Sequence, residues 1–392
     1  MKKTLIFLIG LVLSTTAFGQ SGKYTIKCTV DDESLNGEMA ILQKHTSGDD
    51  WEYDSCVVRK GKFSFEGSVS EPVFADVVFR IRKQKAPYLF GFVLEPGTIH
   101  IDHLHEYDRD VILSGTPRNE AINAYRLADH ADTLALNPQE RLRWDTVVKI
   151  WNKEIELSPE IAKPLKDWSS SLLKSLYDRR QQRLWQLYHQ NDQNIVALYA
   201  MEKLLEYDNI TADFLDSTLK TAAPMVSEKF GYQVNYLRAK ENTSEGKLYI
   251  DIPGTVAFYK KEQFKWEEKD GSLKDIIDGK LALIDFWASW CGPCREEIRT
   301  NLIPLYNKYK DSGLVVVGVD VWDDIDNFWR AVGAERIKYP QLIDTNNASG
   351  QKYGFRGIPE IILIGPDGTI LARGLRDSYI EEAVKDALKK EE

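Results

Sequence analysis

The chain has 392 residues, 43% hydrophobic, 28% charged and 11% aromatic, which excludes a disordered chain, a collagen-like repeat and a multi-span membrane protein. At about 150 residues per domain, that length calls for two or three domains rather than one core. Lys plus Arg number 51 against 60 Asp plus Glu, and the resulting formal charge of -9 argues against nucleic acid as a partner.

Met1-Lys2-Lys3, an apolar run from Leu5 to Leu13 broken only by Gly10, and the small-x-small site Ala17-Phe18-Gly19 are the parts of a secretory signal peptide. The run is well short of the ~20 apolar residues a membrane span needs. Residues 1–19 are therefore expected to be removed, placing the mature protein in the periplasm or cell envelope, where oxidised cysteines persist.

Residues 20–116 read as a β-sandwich domain. Short segments rich in β-branched and aromatic residues (Tyr24 to Val30, Met39 to Lys44, Trp51 to Arg59, Lys62 to Ser68, Val73 to Ile81, Tyr88 to Leu94, Thr98 to Ile101) follow one another without helices. Asn36-Gly37, Lys60-Gly61 and Pro96-Gly97 fall between them as turns, and an antiparallel sandwich is expected. Residues 117–245 read as a helical domain, with apolar positions recurring at three and four, as in Leu172, Leu173, Leu176, Leu184, Leu187 and Tyr188. Asn137-Pro138, Ser158-Pro159 and Ala223-Pro224 mark helix starts. The aromatics of this segment, among them Trp144, Trp151, Trp168 and Trp185, are expected in its core. Polar residues from Lys240 to Lys247 read as a linker.

Residues 246–392 alternate strand and helix patterns, giving an α/β sheet. Strands are expected at Leu281 to Ala288, Leu314 to Val319, Gln341 to Ile343, Glu360 to Ile364 and Thr369 to Arg373, and helices at Cys291 to Tyr309, Ile325 to Val332 and Ser378 to Lys389. The apolar runs Leu281-Ala282-Leu283-Ile284 and Leu314-Val315-Val316-Val317 in the first two suit strands buried on both faces.

The four cysteines fall as two and two. Trp290-Cys291-Gly292-Pro293-Cys294 follows a buried strand and opens a helix, where free N–H groups and the positive helix end favour thiolate over thiol. Cys291 is expected as the exposed nucleophile and Cys294, three residues on, as the sheltered resolving thiol. A purely structural disulfide and half of a zinc site are the weaker readings: the first would not need a buried strand before it and a helix after it, and for the second the chain has no other CxxC and no histidine after His189. Asp285 lies in the apolar strand six residues before Cys291. A buried carboxylate is costly without a role, and the role expected here is proton acceptor for Cys294. Pro359, just ahead of an apolar strand, suits a cis peptide bond.

The run Asp285-Phe286-Trp287-Ala288-Ser289-Trp290-Cys291-Gly292-Pro293-Cys294-Arg295, with Gly357-Ile358-Pro359 and Gly365-Pro366-Asp367-Gly368, resembles the TlpA/ResA-like group of thioredoxin-fold proteins. The resemblance implies a thiol-disulfide oxidoreductase with no cofactor. It also implies a cis-Pro359 facing the disulfide, the Ile358 backbone pairing to substrate, Trp290, Gly292 and Pro293 in the substrate-binding surface, and Glu297 as an auxiliary acid. Disulfide-containing envelope proteins are the implied substrates, and a membrane thiol carrier (DsbD/CcdA-like) the implied electron donor. The Gly292-Pro293 pair resembles that of reducing members. The sandwich resembles a domain of unknown function fused ahead of such modules, and residues before 246 are expected to select clients or form a homodimer. A thioredoxin-fold peroxidase and a redox-switched binding or scaffold protein are the alternatives, but no Pro-x-x-x-Thr-x-x-Cys run is present.

Cys28 and Cys56, on separate strands of the sandwich, either form a structural disulfide or remain two buried thiols. His100, His103 and His105 are half of the six histidines. A solvated strand edge is favoured for them over a metal site, and no metal is expected.

Overall fold

The computed structural model describes residues 21–45, 51–79, 88–104, 111–152, 154–207 and 209–389, so the signal-peptide segment 1–19 and His105 lie outside the described residues. The chain divides into two compact units, residues 1–208 with 222–226, and residues 209–221 with 227–392.

In the first unit the strands are β1 Gly22–Val30, β2 Met39–His45, β3 Trp51–Val57, β4 Lys62–Val69, β5 Val73–Phe79, β6 Tyr88–Leu94, β7 Gly97–Leu104 and β8 Ile112–Ser114. They form two four-stranded sheets, ordered β4-β1-β7-β8 and β3-β2-β5-β6. Alternation along β1 sends Tyr24, Ile26, Cys28 and Val30 into a core they share with Ala40, Leu42, Val77 and Phe79 of the other sheet. Lys60 and Gly61 both take positive φ, 52° and 68°, the geometry of the tight hairpin turn that their sequence announced. One pairing departs from an all-antiparallel sandwich: β1 runs parallel to β7. The two are far apart in the chain, and the strands of the other sheet intervene between them, so no hairpin constrains their direction. Cys28 and Cys56 are free thiols, which corrects the disulfide alternative for this pair.

Six helices follow: α1 Pro117–Leu134, α2 Pro138–Trp151, α3 Pro159–Gln190, α4 Val196–Leu204, α5 Ala212–Leu219 and α6 Pro224–Asn242. Four start on proline, which lacks the N–H that a first turn leaves unused. Asn137 and Glu140 close a capping box at the start of α2. The expected aromatic core is only partly realised: Tyr188 is buried, whereas Trp151 is exposed and stacks edge-on against Trp144.

The second unit holds α5, most of α6 and the α/β elements. These are β9 Pro253–Lys260, β10 Lys265–Ser272, α7 Leu273–Ile277, β11 Leu281–Trp287, α8 Gly292–Glu297, α9 Ile303–Tyr309, β12 Leu314–Asp320, α10 Ile325–Glu335, β13 Gln341–Ile343, α11 Ser349–Tyr353, β14 Glu360–Ile364, β15 Ile370–Arg373 and α12 Ser378–Leu388. One sheet, ordered β10-β9-β13-β12-β11-β14-β15, runs through the unit. β11 pairs parallel with β12 and antiparallel with β14, and every residue of β11 is buried. Its two faces divide the core: Leu283 and Trp287 pack with Cys294, Ile298 and Leu302, while Ala282, Ile284 and Phe286 pack with Tyr353 and Phe355. α8 and α9 are joined by a wide π turn over Ile298–Leu302. Pro304, at the start of α9, has no N–H to continue the α ladder, which accounts for the widened turn.

Candidate active site

β11 delivers the chain to the head of α8, and Cys291 is the residue that caps it. Cys291 and Cys294 are joined in a disulfide with their Cα atoms 5.3 Å apart. The Cys294 N–H points at Cys291 Sγ at 3.2 Å, so the helix start presents a donor to the sulfur that is expected to ionise. Cys294 is 0% exposed and Cys291 4%. The order is as expected, but Cys291 is far less open than an exposed nucleophile, since the disulfide and the facing loop cover it. Around it the surface is accessible: Trp290 is 61% exposed, and a Cβ built on Gly292 or Gly357 would meet nothing within 4 Å. A substrate chain can therefore approach the disulfide closely on that side.

The Ile358-Pro359 peptide is cis, and the Ile358 carbonyl oxygen lies 3.6 Å from Cys291 Sγ. Pro293 sits in the first turn of α8, where it costs no hydrogen bond. The segment before the cysteines is tied to the loop after β12. Ser289 donates its N–H and its hydroxyl to Asp323, the latter at 2.7 Å, and the Trp290 indole N–H donates to the Trp322 carbonyl at 3.0 Å. Behind it, the buried Trp287 indole donates to Gln341 Oε1 at 3.1 Å.

Asp285 lies between Leu283 and Trp287 on the face of β11 that packs Cys294. It is completely buried, and neither carboxylate oxygen has a hydrogen-bond partner among the described residues. Burial pushes its pKa well above the ordinary carboxylate range; Arg376 opposes the shift and Glu297 adds to it. Glu297 is also buried, with Oε2 accepting from Asn301 Nδ2 at 2.6 Å and Oε1 from the Asp377 N–H at 3.1 Å. A second raised carboxyl, Asp320 at the end of β12, is pushed up to about 8 by burial and by the charges of Asp323 and Asp344.

The structure thus brings together Asp285, Cys291, Cys294, Glu297, Ile358 and Pro359. Cys28, Cys56 and the histidines belong to the other unit. His103 lies 3.2 Å from both carboxylate oxygens of Asp31, and among the described residues no group of three His, Cys, Asp or Glu side chains is arranged to hold a metal. Sequence reading missed Asp323, Arg376 and Asp377; nothing local marks them, because each meets the site through chain closure.

Residues 259–389 match the Redoxin family, and residues 24–122 match a domain of unknown function, DUF4369. The thiol:disulfide interchange protein CycY of Rhizobium leguminosarum bv. viciae is 36% identical over 153 residues, covering 37% of this chain and 80% of that protein. The chain belongs to the thiol:disulfide interchange family. The thiol-disulfide oxidoreductase ResA of Bacillus thuringiensis subsp. konkukian is 32% identical over 32% of this chain and 70% of its own length. The interchange protein HelX of Rhodobacter capsulatus is 39% identical over 25% of this chain; there the chain spans only about half of the relative, 54%. The second unit therefore carries the α/β module of a thiol-disulfide oxidoreductase, and the DUF4369 match gives the sandwich a family without a chemistry. Among the described residues, no helix is long and apolar enough to cross a membrane.

Proposed function

We propose that the protein is an exported thiol-disulfide oxidoreductase that reduces disulfides of envelope proteins through Cys291 and Cys294. The observation that carries this reading is the Cys291–Cys294 disulfide at a helix start, against a cis Ile358-Pro359 bond and with an unpartnered, buried Asp285 on the same sheet face.

In the reduced protein the Cys291 thiolate attacks one sulfur of the substrate disulfide. A mixed disulfide forms, and the other substrate sulfur leaves as a thiolate that takes a proton from water. Cys294 then gives its proton to the Asp285 carboxylate and attacks Cys291 Sγ. The mixed disulfide breaks, the second substrate thiol is released, and two electrons have passed to the substrate while Cys291 and Cys294 become oxidised. Asp285 returns its proton once Cys294 is in the disulfide. Its raised pKa makes the Asp285 carboxylate a stronger base than an exposed one, which suits an acceptor for the proton of a buried thiol. Trp290, Gly292 and Pro293 line the approach, and the Ile358 backbone pairs with the substrate chain. A membrane thiol carrier of the DsbD/CcdA kind returns the electrons, and the basic, apolar start of the chain supports export to the periplasm or cell envelope. The first unit selects clients or joins two copies.

Insulin reduction by the pre-reduced protein tests the reading. Turnover is expected in the native chain and loss of it in Cys291→Ser; undiminished turnover in that variant overturns the assignment.

A further inference from the structure

Helix α6 stands beside the chain that leads into the cis-proline loop. Thr243, just past its end, donates its hydroxyl to the Tyr353 carbonyl at 3.1 Å and accepts from the Arg373 guanidinium at 2.9 Å. The backbones meet at Gly354, whose φ is 65°; a Cβ built there would collide with the Tyr236 carbonyl and the Lys240 backbone. From Ser227 onward α6 lies in the same compact unit as this loop. A helix that the sequence assigned to the helical domain therefore flanks the exchange module.

Arg356, two residues after Gly354 and two before Ile358, reaches onto that helix. Its guanidinium carbon lies 5.0 Å from the ring centroid of Tyr232 and 4.6 Å from that of Tyr236. The two tyrosines are one helical turn apart, with ring centroids 6.2 Å from each other and planes nearly perpendicular, and Gln233 Nε2 donates to the Tyr232 hydroxyl at 3.1 Å. The cation is thus held in one place, yet its charge is not used inside the fold. Among the described residues Arg356 pairs with no carboxylate, and the first carboxylate after it in the chain, Glu360, is held by Arg373 at 2.8 Å. Arg356 is exposed and Tyr232 is 54% exposed. Two residues of backbone span at most about 7 Å. Since the Ile358 carbonyl lies 3.6 Å from Cys291 Sγ, a client chain reacting there passes within side-chain reach of Arg356.

We propose that Arg356, clamped on Tyr232 and Tyr236, is a specificity-determining subsite of the exchange site that takes a carboxylate of the client chain close to the attacked cysteine. The inference rests on the exchange chemistry proposed above and names the client class, disulfides flanked by Asp or Glu. A free arginine loses rotamer freedom when it meets a carboxylate; the stacked one has already lost it on folding, so more of the attraction reaches the client. The pair stays open to solvent, so its effect is modest and falls as salt rises.

The test is the rate at which the reduced full chain, carrying Cys294→Ala, forms a mixed disulfide with symmetric disulfides of a short single-cysteine peptide. Three such peptides differ only in having Asp, Asn or Lys flanking the cysteine, and each rate is divided by that peptide's rate with dithiothreitol, which removes its intrinsic reactivity. The Cys291 thiolate attacks one peptide sulfur, the mixed disulfide forms, and the other peptide leaves as a thiolate that takes a proton from water. With Arg356 in place, the Asp peptide is expected to react about two- to fivefold faster than the Asn peptide and the Lys peptide slowest, a spread that shrinks between roughly 0.01 M and 1 M salt. Arg356→Gln is expected to bring the Asp-to-Asn ratio to one, Arg356→Glu to reverse it in favour of Lys, and Tyr232→Leu with Tyr236→Leu to lower it with the charge retained. Equal Asp and Asn rates with Arg356 in place, or an Asp preference that survives Arg356→Gln, would overturn the proposal. A purely structural stacking of Arg356 would slow all three peptides alike and leave the ratio unmoved, which overturns it too. Should Arg356→Glu fail to fold, Arg356→Gln carries the comparison. No reaction with any of the three peptides refutes the proposed function, whereas reaction without preference refutes this subsite alone.

Discussion

The two units each hold a pair of cysteines, and everything that separates the pairs comes from where the backbone puts them. Cys28 and Cys56 lie within strands of the sandwich, their thiols pushed up chiefly by burial, Cys28 further by the neighbouring Cys56. A thiol in that setting packs as a small apolar group and stays protonated. Cys291 caps a helix, receives an N–H on its sulfur and faces a cis peptide; Cys294 shares its sheet face with a buried carboxylate. Reactivity here is a property of position, and the number of cysteines says nothing about it.

The sharpest way to break this comparison is to exchange the roles. Cys291→Ser is expected to lower insulin reduction by at least about 10³-fold, whereas the double variant Cys28→Ser with Cys56→Ser should keep its kcat/KM within a factor of about two. Loss of activity in the sandwich double variant would mean that the two pairs exchange electrons.

A second contrast concerns buried polarity. Asp285→Asn is expected to reduce kcat/KM by roughly 10²-fold at neutral pH, the usual scale for a lost proton acceptor. It should also stabilise the fold. A carboxyl whose pKa is raised by folding holds its proton more tightly in the native state, so its contribution is fully present below about pH 4 and is lost as pH rises through the raised value. Chemical denaturation should therefore find Asp285→Asn equal to the native protein near pH 4 and more stable by roughly 1–3 kcal/mol at pH 9. A variant that is less stable at pH 9 would contradict the burial of an unpartnered charge.

How much of this was legible in the chain depends on the range of the interactions. β11 announced itself as an apolar run, and all seven of its residues are buried. The cysteine motif, Asp285 and Pro359 stood out because each breaks a local rule in its element. β10 was missed: Lys265–Ser272 carries Lys, Glu, Glu, Lys and Asp on an edge strand with little buried surface, so no alternation marks it. The parallel β1–β7 pairing, Asp323 and the Arg376–Asp377 turn were equally invisible, since each is made by segments distant in the chain. The helical aromatics misled for a related reason: period alone cannot say that a face such as that of Trp151 stays uncovered.

Two smaller effects sharpen the comparison further. The midpoint potential at pH 7 is expected near the ~-270 mV of thioredoxin, given Gly292-Pro293 between the cysteines, and a value above about -170 mV would contradict a reducing role. Cys28→Ala should cost only about 1 kcal/mol of stability by equilibrium unfolding, the price of a small void in a core position.

The central claim is that Cys291 is the attacking sulfur. Reduced Cys294→Ala protein, incubated with envelope extract, acid-quenched and digested without reductant, should yield mixed disulfides mapped to Cys291 by mass spectrometry. Adducts on Cys28 or Cys56 instead, with Cys291 unmodified, would contradict the account.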